Sequence, residues 1–145
     1  MAKILLIEDN NEMRENISEI LALSGHEVET AENGKIGVKK AQTNVPEIII
    51  CDIMMPELDG YGVLHMLNRD PSTNQIPFIF LTAKADRSDV RKGMELGADD
   101  YITKPFDDME LLTAIDIRLK KAKLIQASNF TQADNGFDSF LTHFK

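Results

Sequence analysis

Short apolar runs alternate with amphipathic stretches along most of the chain. "KILLIE" (3–8) reads as a first strand and "HEVETA" (26–31) as a second, with Val28 and Thr30 alternating. "EIIIC" (47–51), "PFIFLT" (77–82) and the short "DYIT" (100–103) read as three more. Between them, apolar residues recur at helical spacing. In residues 11–25, Met13, Ile17, Ile20, Leu21 and Ser24 share one face; Asn10 or Asn11 can cap the start and Gly25 the end. A second helix from Gly34 puts Gly34, Gly37, Val38 and Ala41 on its packing face, where small residues allow close approach to a sheet. Gly60, Val63, Leu64 and Leu67 repeat the i, i+3, i+4, i+7 spacing. Residues 86–100 predict a thin polar helix with Val90 and Met94 inward. The last helix has a strong start: Asp107 to cap it, Glu110 to complete a capping box, and Phe106 to staple onto Leu111.

Five β-then-α units follow from this pattern. The first, third and fourth strands are almost wholly apolar, so both faces of each must be covered. That condition predicts a doubly wound α/β domain, a parallel sheet between two helical layers with right-handed crossovers. Such sheets bind ligands beyond the carboxyl ends of their strands. The first strand ends in Glu8–Asp9, the third in Asp52 and the fourth in Thr82, and Lys104 follows the fifth. A single acid there is an ordinary turn or cap residue. Three carboxylates, a hydroxyl and an ammonium, each where an apolar strand stops, indicate a site.

Three close carboxylates repel one another unless something compensates. A hard divalent cation such as Mg²⁺ does so, since it takes oxygen ligands and is commonly held by one or two carboxylates and a phosphate. His26, His65 and His143 have no zinc-ligand spacing. With a cation and Lys104 nearby, Asp52 can act as a carboxylate nucleophile toward a phosphoryl group.

Composition narrows the partners. A chain of 145 residues suits one domain, and a net charge of −8 with a pI near 4.8 argues against direct nucleic-acid binding. An acidic surface suits a basic protein partner. The single cysteine, Cys51, excludes an internal disulfide, fits a reducing compartment, and sits in a run that predicts burial. The opening "MAKILLIEDN" is too briefly apolar for a signal peptide or a membrane span, so a cytoplasmic protein with no membrane contact is expected.

The stretches "ILLIEDN", "IIICDIMMPELDGYGVL", "IPFIFLTAK" and "GADDYITKPF" together make the sequence resemble the receiver domain of bacterial two-component response regulators, the family of the chemotaxis response regulator. The resemblance covers residues 1–122 as a receiver domain and leaves 123–145 as a C-terminal helical extension or linker. It implies a flavodoxin-like fold with strand order 2-1-3-4-5 and helices on both faces. It implies Asp52 as phosphoacceptor, and Mg²⁺ (or Mn²⁺) held by the side chains of Asp9 and Asp52 and the backbone carbonyl of Met54, with Glu8 in the outer sphere. Thr82 and Lys104 would meet phosphoryl oxygens, Ala83 would offer a backbone N–H, and Lys104–Pro105 would be cis. Tyr101 matches the aromatic switch position. The implied partners are a sensor histidine kinase or phosphotransfer protein and a downstream effector or output domain, with a homodimer left open. The implied chemistry is the chain's own phosphotransfer and autodephosphorylation, so it is a signalling protein, not an enzyme acting on others. In the family, the positions two after the phosphoacceptor and two after the threonine tune hydrolysis. Here they are Met54 and Lys84, and Met54 has no group to orient water, so a long-lived phosphoryl group is expected.

Three other functions share parts of this pattern. A haloacid-dehalogenase-type, Mg²⁺-dependent phosphatase also uses an aspartyl phosphate but wants an acid where Met54 stands. A flavodoxin-like cofactor binder wants a Ser/Thr/Gly phosphate loop where "EDNNEM" is acidic. A docking module without chemistry does not need the acidic set. Beyond the last helix, residues 125–136 read as a polar linker, and the "KKAK" at 120–123 as a solvated helix end. Phe137, Phe140, Leu141 and Phe144 then recur at helical spacing, as a docked helix, a dimer contact or the start of an output domain.

Overall fold

A computed structural model describes residues 1–83 and 87–131. Lys84 and the Phe-rich stretch 137–144 lie outside the described residues. The strands are β1 (Lys3–Ile7), β2 (Glu27–Ala31), β3 (Ile48–Asp52), β4 (Phe78–Thr82) and β5 (Asp100–Thr103). The helices are α1 (Asn11–Leu23), α2 (Gly34–Thr43), α3 (Gly60–Asn68), α4 (Arg87–Glu95) and α5 (Asp108–Thr131). The strands form one parallel sheet in the order β2-β1-β3-β4-β5, as expected.

Alternation along the strands sorts the core into two layers. Leu5, Ile7, Ile49, Cys51, Phe78 and Phe80 face α2 and α3, meeting Val38, Ala41, Val63, Leu64 and Leu67. Ile4, Leu6, Ile48, Ile50, Ile79 and Leu81 face α1 and α5, meeting Ile17, Leu21, Leu111, Ile115 and Leu119. Every residue of β3 and β4 is buried, which is why their sequences show no alternation. The small face of α2 permits close packing: a Cβ at Gly37 would lie 2.5 Å from the Ile7 side chain.

Polar residues set the helix ends. Asn10 Oδ1 accepts the Met13 N–H at 2.9 Å, and Asp107 Oδ1 accepts the Glu110 N–H at 2.8 Å. Asp70, after α3, accepts the Ser72 N–H at 2.9 Å, the Ser72 hydroxyl at 2.8 Å and the Gln42 amide at 3.0 Å. The Ser72 backbone bond first, then its hydroxyl and Gln42, hold the Asp70 carboxyl below its ordinary 3.8. The folded value lies under the unfolded one, so these bonds add stability above pH 3.8 that is lost as pH falls through the folded value. Ser72→Ala, which keeps the backbone N–H, is expected to raise the Asp70 midpoint part of the way toward 3.8 in a carboxyl ¹³C NMR titration, and an unmoved midpoint would remove the share assigned to the hydroxyl.

Three expectations need correction. Met94 is 46% exposed; the inward position of α4 is Gly93, which sits against the Phe80 ring. In so short and polar a helix, two apolar residues do not fix the phase. Ser24 leaves the α1 face as its exposed C-cap residue, its hydroxyl donating to the Ile20 carbonyl at 3.0 Å. The supposed linker from 125 is helical as far as Thr131, since Gln, Ala and Ser are polar or small without breaking a helix, and the first glycine comes only at Gly136.

Cys51 is fully buried in β3. Burial first, then the charges of Asp52, Glu8 and Asp59, push its thiol well above 9.0. The native chain is therefore expected to resist iodoacetamide at mildly alkaline pH and to react once unfolded in urea. Rapid native alkylation would contradict this.

Candidate functional site

Four of the five strands, β1, β3, β4 and β5, bring the site residues to their carboxyl ends. The Glu8 N–H donates to the Ala31 carbonyl at 3.0 Å, which extends the β1–β2 ladder by one residue and fixes where Glu8 points. The Glu8 carbonyl accepts Arg14 Nη1 at 2.9 Å, and its Oε2 accepts the Asn10 N–H at 3.3 Å. Asp52 ends β3, and the Ile53 N–H donates to the Leu81 carbonyl at 3.1 Å. Thr82 ends β4 opposite Thr103, and the Lys104 N–H donates to the Thr82 carbonyl at 2.7 Å. Lys104–Pro105 is cis, as expected.

The side chains converge across these ends. Oxygens of Glu8, Asp9 and Asp52 lie within 4.8 Å of one another, and this trio could hold a metal ion. Lys104 Nζ reaches Glu8 Oε1 at 2.9 Å and Asp52 Oδ1 at 3.4 Å. Glu8, Asp52 and Thr82 are buried, whereas Asp9 opens to solvent. Burial disfavours charge on Lys104, but its hydrogen bond to Glu8 and the charges of Asp52 and Glu8 outweigh this and raise its pKa above 10.5. Asp9 is raised from 3.8, by burial first and then by the Glu8 hydrogen bond and charge; Lys104 opposes only in part. One ammonium therefore does not balance three carboxylates. An all-oxygen donor set with surplus negative charge fits a hard divalent cation.

The loop after β3 is tightly built. Glu57 has φ of 68° and the Leu58 N–H donates to the Pro56 carbonyl at 2.8 Å, a γ-turn that swings Asp59 round to cap α3. The Gly60 N–H then donates to the Ile53 carbonyl at 2.9 Å. A Cβ at Gly60 would lie 2.5 Å from the Asp52 carbonyl oxygen, so α3 starts against the backbone of the site itself. Met54 is exposed on this loop, and Ala83 is exposed just past Thr82. Tyr101 is half-buried in β5 and packs on the Phe80 layer.

A match to the response regulator receiver domain spans residues 4–116. The chain belongs to the response regulator receiver family. Sequence relatives of this receiver include the transcriptional regulatory protein DltR of Streptococcus agalactiae, 38% identical over 87% of this chain and 55% of that protein. Another is the transcriptional regulatory protein PcoR of Escherichia coli, 36% identical over 95% of this chain and 60% of that protein. This receiver thus spans little more than half the length of those relatives. Among solved structures, the chemotaxis protein CheY4 of Vibrio cholerae superposes with a TM-score of 0.78 at 30% identity, over 81% of this chain and 98% of that one. The receiver family is a signalling module, and among the described residues no helix is long and apolar enough to cross a membrane.

Two features escaped the sequence. Lys104 has Glu8, not Asp52, as its nearer partner, and nothing in the spacing could rank the two. Phe80 links the site to α4: a Cβ at Gly60 would lie 3.1 Å from its ring and one at Gly93 3.0 Å, while Tyr61 meets it edge-on at 5.4 Å and carries Lys92 over its own ring at 4.5 Å. Glycines at 60 and 93 were the signal available for this.

Proposed function

We propose that Asp52 accepts a phosphoryl group from a phosphohistidine on a sensor kinase or phosphotransfer protein and that the receiver passes the change to an output partner. The observation that carries this reading is the convergence of Glu8, Asp9, Asp52 and Lys104 at one edge of the sheet. An oxygen of the Asp52 carboxylate attacks phosphorus. The P–N bond breaks, its electron pair stays on the imidazole nitrogen, and an acyl phosphate forms. Lys104 offers its ammonium to one phosphoryl oxygen, Thr82 its hydroxyl to a second and Ala83 its N–H to the third. Asp9, Asp52 and the Met54 carbonyl would hold Mg²⁺ (or Mn²⁺), with Glu8 behind them. A bound Mg²⁺ supplies neutralisation of the charge on the phosphoryl oxygens.

Phosphorylation adds about −1.5 to −2 charges beside Glu8 and Asp9. Lys104 is then drawn from Glu8 toward the new group, and Thr82 moves with it. Tyr101, on the neighbouring strand, turns inward, so the α4–β5–α5 face changes shape for an effector, an output domain or a second copy. Carrying that face from mostly off to mostly on needs roughly 5.5 kcal/mol of differential interaction. The location that suits a kinase partner of this kind is the cytoplasm.

Incubation with acetyl phosphate and Mg²⁺ tests the reading. Intact mass is expected to show one phosphoryl adduct, lost when EDTA replaces the metal; no adduct, or one indifferent to EDTA, would refute it. The lifetime of the adduct tests the role of Met54. Met54→Asn is expected to shorten it by about tenfold or more by orienting water, and an unchanged lifetime would remove that role.

A further inference from the structure

Of the three carboxylates at the acidic edge, Asp9 is the one without a scaffold. Asp52 ends β3, and Glu8 extends the β1–β2 ladder. Asp9 lies in the loop between β1, which ends at Ile7, and α1, which begins at Asn11, and it is exposed. A ligand on a loop meets a metal in the right geometry only if its backbone is held. On one side of Asp9, Glu8 Oε2 accepts the Asn10 N–H at 3.3 Å. On the other side the holder is Arg14, whose Nη1 donates to the Glu8 carbonyl at 2.9 Å. The peptide joining Glu8 to Asp9 is planar, so pinning that oxygen also fixes the Asp9 nitrogen and Cα.

Arg14 is itself pre-set. It is the fourth residue of α1, half-buried, and its Nη2 donates to Asn11 Oδ1 one helical turn earlier. Two guanidinium donors therefore go to a backbone carbonyl and a side-chain amide. Among the described residues Arg14 forms no ion pair, although the residue it touches, Glu8, belongs to the acidic trio. The first turn of a helix also disfavours a cation, because the helix dipole is positive there. The carbonyl, not charge balance, explains the arginine.

We propose that Arg14, braced by Asn11, is a positioning residue for the metal site: it clamps the Glu8–Asp9 peptide and so aims Asp9 at a divalent cation. The inference rests on the reading that Mg²⁺ binds at this edge, and the direction of its effect separates it from simple electrostatics. A cation beside the acidic trio repels Mg²⁺, so charge alone predicts tighter binding once Arg14 is neutralised. A clamp predicts weaker binding.

The test is a ¹⁵N NMR titration of the full chain with MgCl₂ and no phosphoryl donor. The amides of 8–10 and 52–54 report the metal, and those of Ile48–Ile50 report that the fold is intact. Arg14→Met, which keeps an apolar stem and removes the donors, is expected to raise the Kd for Mg²⁺ about tenfold. Arg14→Lys, which keeps the charge and can reach one carbonyl, is expected to recover part of that loss. Asn11→Ala, at an exposed position and with no change of charge, is expected to raise Kd several-fold. Equal or tighter binding by Arg14→Met, or an unchanged Kd in Asn11→Ala, would overturn the clamp and leave the metal site standing. A wild type without saturable shifts would overturn the metal reading and the clamp with it.

Discussion

Asp52→Asn is expected to fold normally and to take up no phosphoryl group from acetyl phosphate and Mg²⁺. The amide keeps the volume of the carboxyl at a buried position, so packing survives. It is not a nucleophile of carboxylate strength, and no neighbour replaces it. Glu8 is buried with Lys104 Nζ at 2.9 Å, and Asp9 stands one residue further along the same loop. The substitution also removes one of three mutually repelling charges. Without metal, the variant is expected to melt at or above the wild type, despite losing the weaker Lys104 contact at 3.4 Å. With metal, the order reverses. At a Mg²⁺ concentration of a hundred times Kd, the wild type gains about 2.7 kcal/mol by mass action, and most of this gain should vanish in the variant. Intact mass and melting with and without Mg²⁺ read both effects. A phosphorylated Asp52→Asn chain would remove Asp52 from the chemistry.

Phe80→Ala is expected to be the most destabilising of the substitutions considered, at about 3–5 kcal/mol. The ring is fully buried and meets Phe78 edge-on at 5.0 Å and Tyr61 at 5.4 Å. Gly60 and Gly93 close on it from α3 and α4, so little can collapse into the space it leaves. Phe80→Leu, which keeps most of the volume, should cost less than about 1.5 kcal/mol. Urea unfolding distinguishes them through a lowered midpoint at unchanged slope. The loss should reach the site as well, because Gly60 packs on the Asp52 backbone and Phe80 lies two residues before Thr82. Slower phosphorylation by acetyl phosphate is therefore expected in Phe80→Ala under conditions where the chain is still folded. A cost below about 1 kcal/mol would show that the cleft between the glycines closes freely.

The fold was legible where burial leaves a one-dimensional trace. Strands covered on both faces must be apolar throughout, and β3 and β4 carry that mark in "IIIC" and "FIFL". Capping is also local, so Asn10 and Asp107 could be read from their neighbours alone. The site was legible because parallel strands bring their carboxyl ends together, so Asp52 and Lys104 meet although they are 52 residues apart. What depends on side-chain reach was not. The preference of Lys104 for Glu8 and the cleft around Phe80 both arise from contacts between elements. The phase of α4 leaves no mark in the sequence because its inward residue, Gly93, has no side chain to show it. α5 runs past residue 125 because polar residues there do not break a helix, so polarity alone does not mark its end.

Among the carboxylates gathered at this edge, Asp52 is the proposed carrier of the phosphoryl group. Borohydride reduces an acyl phosphate to an alcohol, so reduction of the phosphorylated chain followed by peptide mass mapping reports the residue directly. Homoserine at position 52 alone is the expected result. The reduced alcohol at another acid (homoserine at an aspartate, hydroxynorvaline at Glu8), or an unreduced adduct on a side chain of different chemistry, would rule Asp52 out as the phosphoacceptor.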